Sequence, residues 1–437
     1  MTGITIFEFD TLAALPVDGH RLLDKVGLHE VPTPIFSWLE SRALRAADAG
    51  EAAWLRLTQR CGRKVVQVTS FVGVIRCPDG YQIEVLPKLG KASGKADARR
   101  LLIEMLCCLG GFRHIQTDSA QLQARRIPLL EVFIGEFLRA VEHVVKRGLR
   151  SDYHSQKDNL FALRGKLQIA GHLRHNLCRR DRFFAEFDEY SPNRPENRLL
   201  HAALRCALAW TSSQVHQQLA RELCFVFGDI PASAQHDADF ARIRLDRGMA
   251  HYDGALAWAR LILQGESPLT GSGAHHAPSL LFPMEAIFES FVAKHLARQL
   301  NNGYSLRTQT SSFSLVTHNK QSWFRLKPDL LVQEAKVRRL VLDTKWKLLD
   351  GKKANGSEKY GLDQHDFYQL HAYGQSYLDG KGDVVLIYPK TGSFEKPLPV
   401  FTFPNGLRLW VLPFCLQDRR LLLPPCGALQ AFFTNSC

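Results

Sequence analysis

Leu326-Lys-Pro-Asp-Leu-Leu-Val332 and Leu340-Val-Leu-Asp-Thr-Lys-Trp346 are apolar runs, each carrying charge where a buried strand ordinarily carries none. Side chains alternate along a strand, so Asp343 and Lys345 share one face, roughly 6–7 Å apart, with Leu342 and Thr344 on the other. The segment from Gln333 to Arg339 reads as a hairpin loop centred on Lys336. In that register Asp329 lies directly opposite Asp343, with Cβ atoms about 4.5–5.5 Å apart. Two carboxylates that close repel unless a cation sits between them. Mg²⁺ takes one or two carboxylates, keeps several waters and binds phosphate oxygens. The pattern therefore reads as a metal-dependent phosphodiesterase site. Asp329 and Asp343 hold the metal, and Lys345 stabilises growing charge or orients the attacking water.

The flanking segments supply further candidates. Residues 283–300 carry Met284, Ile287, Phe288, Phe291, Leu296 and Leu300 at helical spacing. Glu289 lies on the polar side of that helix, in reach of the metal directly or through water. Strands are expected at Leu306–Val316, Arg325–Gln333 and Arg339–Lys347, a second helix at Asp366–Asp379, and a strand at Val384–Tyr388. On the second helix Gln369 and Tyr373 are four apart and share a face. Alone, each piece has a plainer reading: a turn for Pro328-Asp329, a polar strand edge for Asp343-Thr-Lys345, a solvated charge for Glu289. Together they form a helix, three strands, a helix and a strand, with the charges in the order one pocket requires.

Upstream, Lys64–Val68, Val72–Arg76 and Tyr81–Leu86 alternate as strands, and Pro78-Asp79-Gly80 is a hairpin turn between the last two. Ala98–Leu109 and Leu129–Val145 change to helical period. A basic segment runs from Arg164 to Arg182, followed by Phe183-Phe184, and Phe187–Arg198 opens a long helical pattern. The mixture of cations and aromatics suits contact with DNA or a partner, and equally a packed helix with a basic face. Residues 265–279 hold the densest Gly/Ser/Pro cluster and read as a linker or long loop. The expected class is α/β, an α+β multidomain chain. Residues 1–125 form a β-rich N-terminal domain, 126–275 a mainly helical middle region and 276–437 the domain carrying the acids and lysine.

Composition bounds the function. The chain has 437 residues, 45% hydrophobic and 23% charged, which describes a folded protein of more than one domain. A formal charge of +13 fits a polyanionic partner, because lysine and arginine gain affinity by displacing counterions from phosphates. No secretory signal or bilayer-length apolar run is visible, so a cytoplasmic protein without a membrane is expected. The ten cysteines show no Cys-x-x-Cys pair and read as reduced, mostly buried thiols. His275-His276 and His365/His371 match no compact zinc spacing.

The acids, the lysine and their helices resemble the PD-(D/E)xK nuclease superfamily, including the Gln-x-x-x-Tyr helix of its RecB-like branches. Gly73-Val-Ile, Ile83-Glu-Val-Leu-Pro-Lys88, Leu163-Arg-Gly-Lys-Leu167, Asp188-Glu-Tyr-Ser and Pro195-Glu-Asn-Arg-Leu-Leu200 extend the likeness. They resemble the McrC family, nuclease subunits of McrBC-type restriction systems, over roughly residues 65 to 390. The resemblance implies a restriction-endonuclease-like C-terminal core with Asp329, Asp343, Lys345, Glu289, Gln369 and Tyr373 as its site. It implies Mg²⁺ as cofactor, with Mn²⁺ able to substitute, and double-stranded DNA, methylated DNA included, as substrate. It also implies an McrB-like AAA+ GTPase hexamer as partner, which uses GTP, reads DNA and translocates it while the N-terminal and middle regions face the ring. No G-x-x-x-x-G-K-[ST] run occurs here, and Gly90-Lys-Ala-Ser-Gly94-Lys95-Ala96 is one residue short and lacks the Ser or Thr that would hold Mg²⁺. Two other expectations compete: an activator and scaffold of the ring, and a standalone RecB-like nuclease.

Overall fold

The computed structural model describes residues 3–15, 27–48, 54–60, 62–91, 94–109, 128–264, 279–425 and 427–434. The expected linker lies outside these residues except for Ser279, as do His275-His276 and two residues of the Gly90–Ala96 loop. The chain gathers into two compact units. One comprises Met1–Val72, Ile83–Arg113 and Phe282–Cys437, the other Gly73–Gln82 and His114–Leu281. This division does not follow the three segments expected from the sequence, because N-terminal strands belong to the same unit as the acids and lysine. Glu8, just after the Gly3–Phe7 strand, is fully buried and shows why. It accepts hydrogen bonds from Trp346 Nε1 at 3.1 and 3.0 Å and from the Lys88 backbone N–H at 2.9 Å. Lys88 Nζ in turn donates to the Trp346 carbonyl at 2.9 Å.

The first unit is built on a seven-stranded sheet. Its order is Tyr304–Thr308, Leu330–Glu334, Val337–Thr344, Asp383–Pro389, Arg408–Cys415 and Phe401–Thr402, with Arg420–Leu421 also paired to Arg408–Cys415. Val337–Thr344, Asp383–Pro389 and Arg408–Cys415 run parallel, and Leu330–Glu334 is antiparallel to the first of these. Parallel strands need cover on both faces, and the unbroken burial of Asp383–Pro389 shows that cover. On one face Leu331, Val341, Leu386, Tyr388, Leu409 and Val411 pack with Leu370, Tyr373 and Tyr377 of the Gln364–Leu378 helix. On the other, Phe288 and Phe291 of the Met284–Leu296 helix meet Phe414 with centroids 6.5 and 6.1 Å apart.

Two expected strands prove to be broken. Leu306–Val316 divides into Tyr304–Thr308, in the large sheet, and Phe313–His318, which pairs only with Gln321–Leu326. Arg325–Gln333 divides at Lys327–Asp329, where Pro328 cannot donate to a ladder and biases the residue before it. Asp329 thus sits on the bend ahead of Leu330 instead of inside a strand. The expected loop of seven residues is a two-residue turn at Ala335 and Lys336, with φ of 45° and 74°. That turn pairs Glu334 with Val337 and Gln333 with Arg338, one step out of the expected register. An irregularity between Val332 and Gln333 restores it, pairing Val332 with Leu340 and Leu330 with Leu342. The two one-residue shifts cancel, and the ladder ends with Leu330 opposite Leu342, one residue short of Asp329 and Asp343.

The second unit is mainly helical, with Leu129–Arg147, Pro195–Trp210, Gln214–Val226 and Asp253–Gln264 as its longest described helices. It also holds a three-stranded antiparallel sheet that hydrophobic periodicity does not reveal. Its strand Asp152–Leu160 is polar and mostly exposed, and pairs over nine residues with Phe183–Ser191. The basic segment forms the short strand Lys166–Leu167 and the helix Ile169–Asn176. Two of its cations lie on aromatic rings: Arg164 4.8 Å from the Phe187 centroid and Arg182 4.2 Å from that of Phe161. Among the described residues no helix is long and apolar enough to cross a membrane. Of the seven cysteines among the described residues, only Cys178 is exposed.

Candidate active site

Asp343 is the second-last residue of its strand, almost fully buried, and Lys345 follows where the strand ends. Alternation carries Val341, Asp343 and Lys345 to the face covered by the Gln364–Leu378 helix. Lys345 Nζ lies 2.8 Å from Asp343 Oδ2, an ion-pair distance, yet that buried oxygen accepts no properly angled hydrogen bond. The same ammonium donates to Gln369 Oε1 at 2.8 Å and stands 3.5 Å from Asp366 Oδ1. Gln369 Nε2 donates to the Tyr373 hydroxyl at 2.8 Å, and that hydroxyl donates to the Lys327 carbonyl at 3.0 Å. One helix face therefore holds the lysine and also grips the backbone two residues before Asp329.

Asp329 is fixed from the opposing strand. Its Oδ2 accepts from Thr344 N at 2.8 Å and from Thr344 Oγ1 at 2.7 Å. Thr344, assigned to the far face by simple alternation, thus takes part in the site. At a strand end its backbone N–H is free of the ladder to point sideways, and its hydroxyl follows.

The electrostatics are those of buried, crowded acids that a single ammonium offsets only in part. Burial pushes the Asp343 carboxyl up to about 7, and the charge of Asp329 adds to that, against the pull of Lys345. Burial likewise raises Asp329, opposed by its two bonds from Thr344 and by Lys345 and Lys327. For Lys345 burial works against the charge, but Asp343, Asp366 and Asp329 outweigh it, so its affinity for a proton rises and it stays an ammonium.

Glu289 comes from the helix on the other face of the sheet. Its Oε1 accepts from Gln309 Nε2 at 3.0 Å, and the Gln309 backbone N–H donates to the Asp329 carbonyl at 2.9 Å. Burial, then the charge of Asp329, pushes its carboxyl up to about 7. Glu289 and Gln309 line a cavity of about 510 Å³ with Cys108, Lys294, Leu306 and Thr308 among its other walls. Among the described residues no three His, Cys, Asp or Glu side chains stand together as a metal cage. The donor set is instead a carboxylate pair, one of whose buried oxygens lacks a hydrogen bond, with Glu289 coupled to it through charge. Such a set fits Mg²⁺, which needs only one or two carboxylates beside its waters.

Asp329, Asp343, Lys345, Gln369 and Tyr373 are thus brought together, while Glu289 joins through Gln309. Three contributors escaped the sequence reading. Asp366 precedes Gln369 by three residues on the same helix, so helical spacing could have found it. It also accepts a hydrogen bond from the buried Tyr388 hydroxyl at 3.1 Å. Thr344 and Gln309 act through backbone geometry that no spacing rule encodes.

Comparison with known proteins bears on the fold and the family. Nothing among curated proteins matches the sequence. A chain of the refined half-complex from a tetradecameric assembly of Thermococcus gammatolerans McrB AAA+ hexamers with bound McrC superposes with a TM-score of 0.62 at 18% identity, covering 95% of each chain. A chain of the Thermococcus gammatolerans McrBC complex gives 0.49 at 21% identity, covering 68% of this chain and 88% of that one. The first likeness establishes a shared mixed α/β multidomain fold. The family model described as McrBC 5-methylcytosine restriction system component matches residues 66–389, a span that takes in every residue of the site, and the chain belongs to that family.

Proposed function

We propose that this chain is the Mg²⁺-dependent endonuclease subunit of an McrBC-like restriction system, with a PD-(D/E)xK site. In this reading it cuts phosphodiester bonds of double-stranded DNA in the cytoplasm and stimulates an McrB-like AAA+ GTPase hexamer that recognises and moves that DNA. The observation that carries the reading is the buried Asp329–Asp343 pair with Lys345 held between Asp343 and Gln369. The +13 charge and the McrB hexamers beside McrC in the similar assembly support the DNA and the partner.

Asp329 and Asp343 would hold Mg²⁺, with Glu289 adding negative charge from the neighbouring helix. The chemistry Mg²⁺ would supply there is polarisation of the scissile phosphate and acidification of a water. Everything else belongs to the chain itself. Lys345 keeps its proton and is aimed by Gln369, so a fixed positive charge faces the phosphate oxygens as negative charge grows on them. Tyr373 prevents Gln369 from turning, because its hydroxyl accepts from Gln369 and donates to the Lys327 carbonyl. Thr344 holds Asp329 by two hydrogen bonds, leaving its other oxygen for the metal side.

The test is Asp343→Ala in the complex reconstituted with the GTPase, with Mg²⁺, GTP and DNA carrying 5-methylcytosine. Cleavage should vanish while stimulation of GTP hydrolysis persists. Full cleavage by that variant would refute the assignment. A wild-type chain that stimulates the GTPase but never cuts would favour the activator role.

A further inference from the structure

Between Glu289 and Asp329 the chain carries no acidic residue at all, but holds Lys294, Arg298, Arg307, Lys320, Arg325 and Lys327. Within this acid-free stretch lies the hairpin Phe313–His318/Gln321–Leu326, which among the described residues pairs with no other strand. Two-stranded hairpins are marginal on their own and need a packed base. Here the base is built with care. Phe313 packs edge-on against Tyr377 at 4.9 Å between centroids, and the Arg338 guanidinium lies 4.5 Å from the Phe313 centroid. The Tyr377 hydroxyl donates toward the Leu326 and Thr310 carbonyls at 2.9 and 3.0 Å and accepts from Ser312 N at 3.2 Å.

Away from that base the hairpin exposes what a fold would ordinarily hide. Phe324 is 70% exposed, Leu315 55%, Val316 46% and Trp323 45%. Val316 pairs with Trp323 across the ladder, and the Trp323 ring lies 4.7 Å from that of His318. Lys320, in the turn, and Arg325 are exposed beside them. Three residues after Leu326 the chain reaches Asp329.

We infer that this hairpin is the DNA-contacting arm of the site. Lys320 and Arg325 would engage phosphates, and Trp323 with Phe324 would wedge against bases next to the scissile bond. The inference rests on the nuclease reading above and names the element that seats the substrate. Charge selects the occupant: an apolar tip flanked by cations, with no carboxylate for 39 residues, suits a polyanion. Apolar side chains wedged at a base step are an established way to hold deformed duplex beside phosphate contacts. Continuity places the contact, since hairpin and Asp329 share one strand-to-bend connection.

The experiment uses the full-length chain in complex with its GTPase and a duplex oligonucleotide carrying 5-methylcytosine. Lys320→Ala combined with Arg325→Ala should flatten the plot of log affinity against log salt by about 2. Trp323→Ala combined with Phe324→Ala should weaken binding at least about tenfold, with a melting curve matching wild type as the check on folding. An aryl-azide photocrosslinker attached through the thiol of Lys320→Cys should mark nucleotides next to the cut. Unchanged affinity and salt slope in both double variants, or crosslinking to protein alone, would overturn the inference. The underlying nuclease reading fails differently: Asp343→Asn would then cut normally, whatever the hairpin variants bind.

Discussion

Asp343→Asn should stabilise the metal-free protein at alkaline pH while doing nothing at acid pH. Asp343 is 1% exposed, and its pKa is pushed from 3.8 to about 7 by burial and by Asp329, against the pull of Lys345. A folded-state pKa above the unfolded value means that the native protein binds more protons than the unfolded chain between those two values. Its contribution to stability is therefore complete below about pH 4 and is lost as pH rises through about 7. At about 1.4 kcal/mol per pH unit, a rise from 3.8 to about 7 corresponds to about 4 kcal/mol. Asp329 takes up part of the same proton load, so about 2–4 kcal/mol should be visible. Asparagine keeps the shape and removes the charge, and Lys345 retains Gln369 and Asp366 as partners. At pH 8 in EDTA the variant should melt roughly 2–4 °C above wild type, and at pH 4 within a degree or so of it. Glu8 and Glu289 also rise to about 7 and push the wild-type curve the same way, so the comparison must be the difference between the two proteins. Saturating Mg²⁺ should erase the difference by stabilising only wild type, since a ligand stabilises the state that binds it. Equal melting of both proteins at pH 8 without metal would refute the account of the carboxylate pair.

Tyr373→Phe removes the bond to the Lys327 carbonyl and the anchor of Gln369; it should cost about 1–2 kcal/mol in urea unfolding and slow single-turnover cleavage about tenfold at saturating DNA. A normal rate would show that the aim of Lys345 does not depend on this tyrosine. Glu8→Ala strands the indole N–H of Trp346 and the backbone N–H of Lys88, both now satisfied by one buried carboxylate, and should lower stability by about 3 kcal/mol. An unmoved urea midpoint would show that the N-terminal strands do not depend on this contact.

The strand pair was legible because its information is local. A charge inside an apolar run is rare, and a period of two fixes which residues share its face. The tight turn was not legible, since Ala335-Lys336 lacks the Asn or Gly that normally marks two positive φ values. The partnership of Glu8 with Trp346 could not be read at all: 338 residues separate them, and neither residue type announces the other. The polar strand Asp152–Leu160 was missed for a different reason. It buries almost nothing, so it carries no hydrophobic alternation and is held by its ladder to Phe183–Ser191. Where apolar periodicity dictated side chains the pattern showed; where backbone hydrogen bonding or a contact between distant residues did, it did not.

Gln369, Tyr373 and Tyr377 stand four residues apart in succession, which places them in one row along the Gln364–Leu378 helix. Each ends on a different part of the site. Gln369 holds the Lys345 ammonium, Tyr373 the carbonyl of Lys327, and Tyr377 the carbonyl of Leu326 with both backbone groups at the start of the hairpin. The Gln-x-x-x-Tyr spacing places only the first two on one face of this helix. The third makes the row a ruler. It fixes the distance between the lysine at one end and the base of the cationic hairpin at the other, with the bend bearing Asp329 between them. A displacement of this helix along its axis would shift lysine and hairpin together, whereas a slip of the Leu330–Glu334 strand would carry Asp329 away from both. The irregularity between Val332 and Gln333 lies on that second, more vulnerable connection. Its position there is what keeps the acid in register with the row.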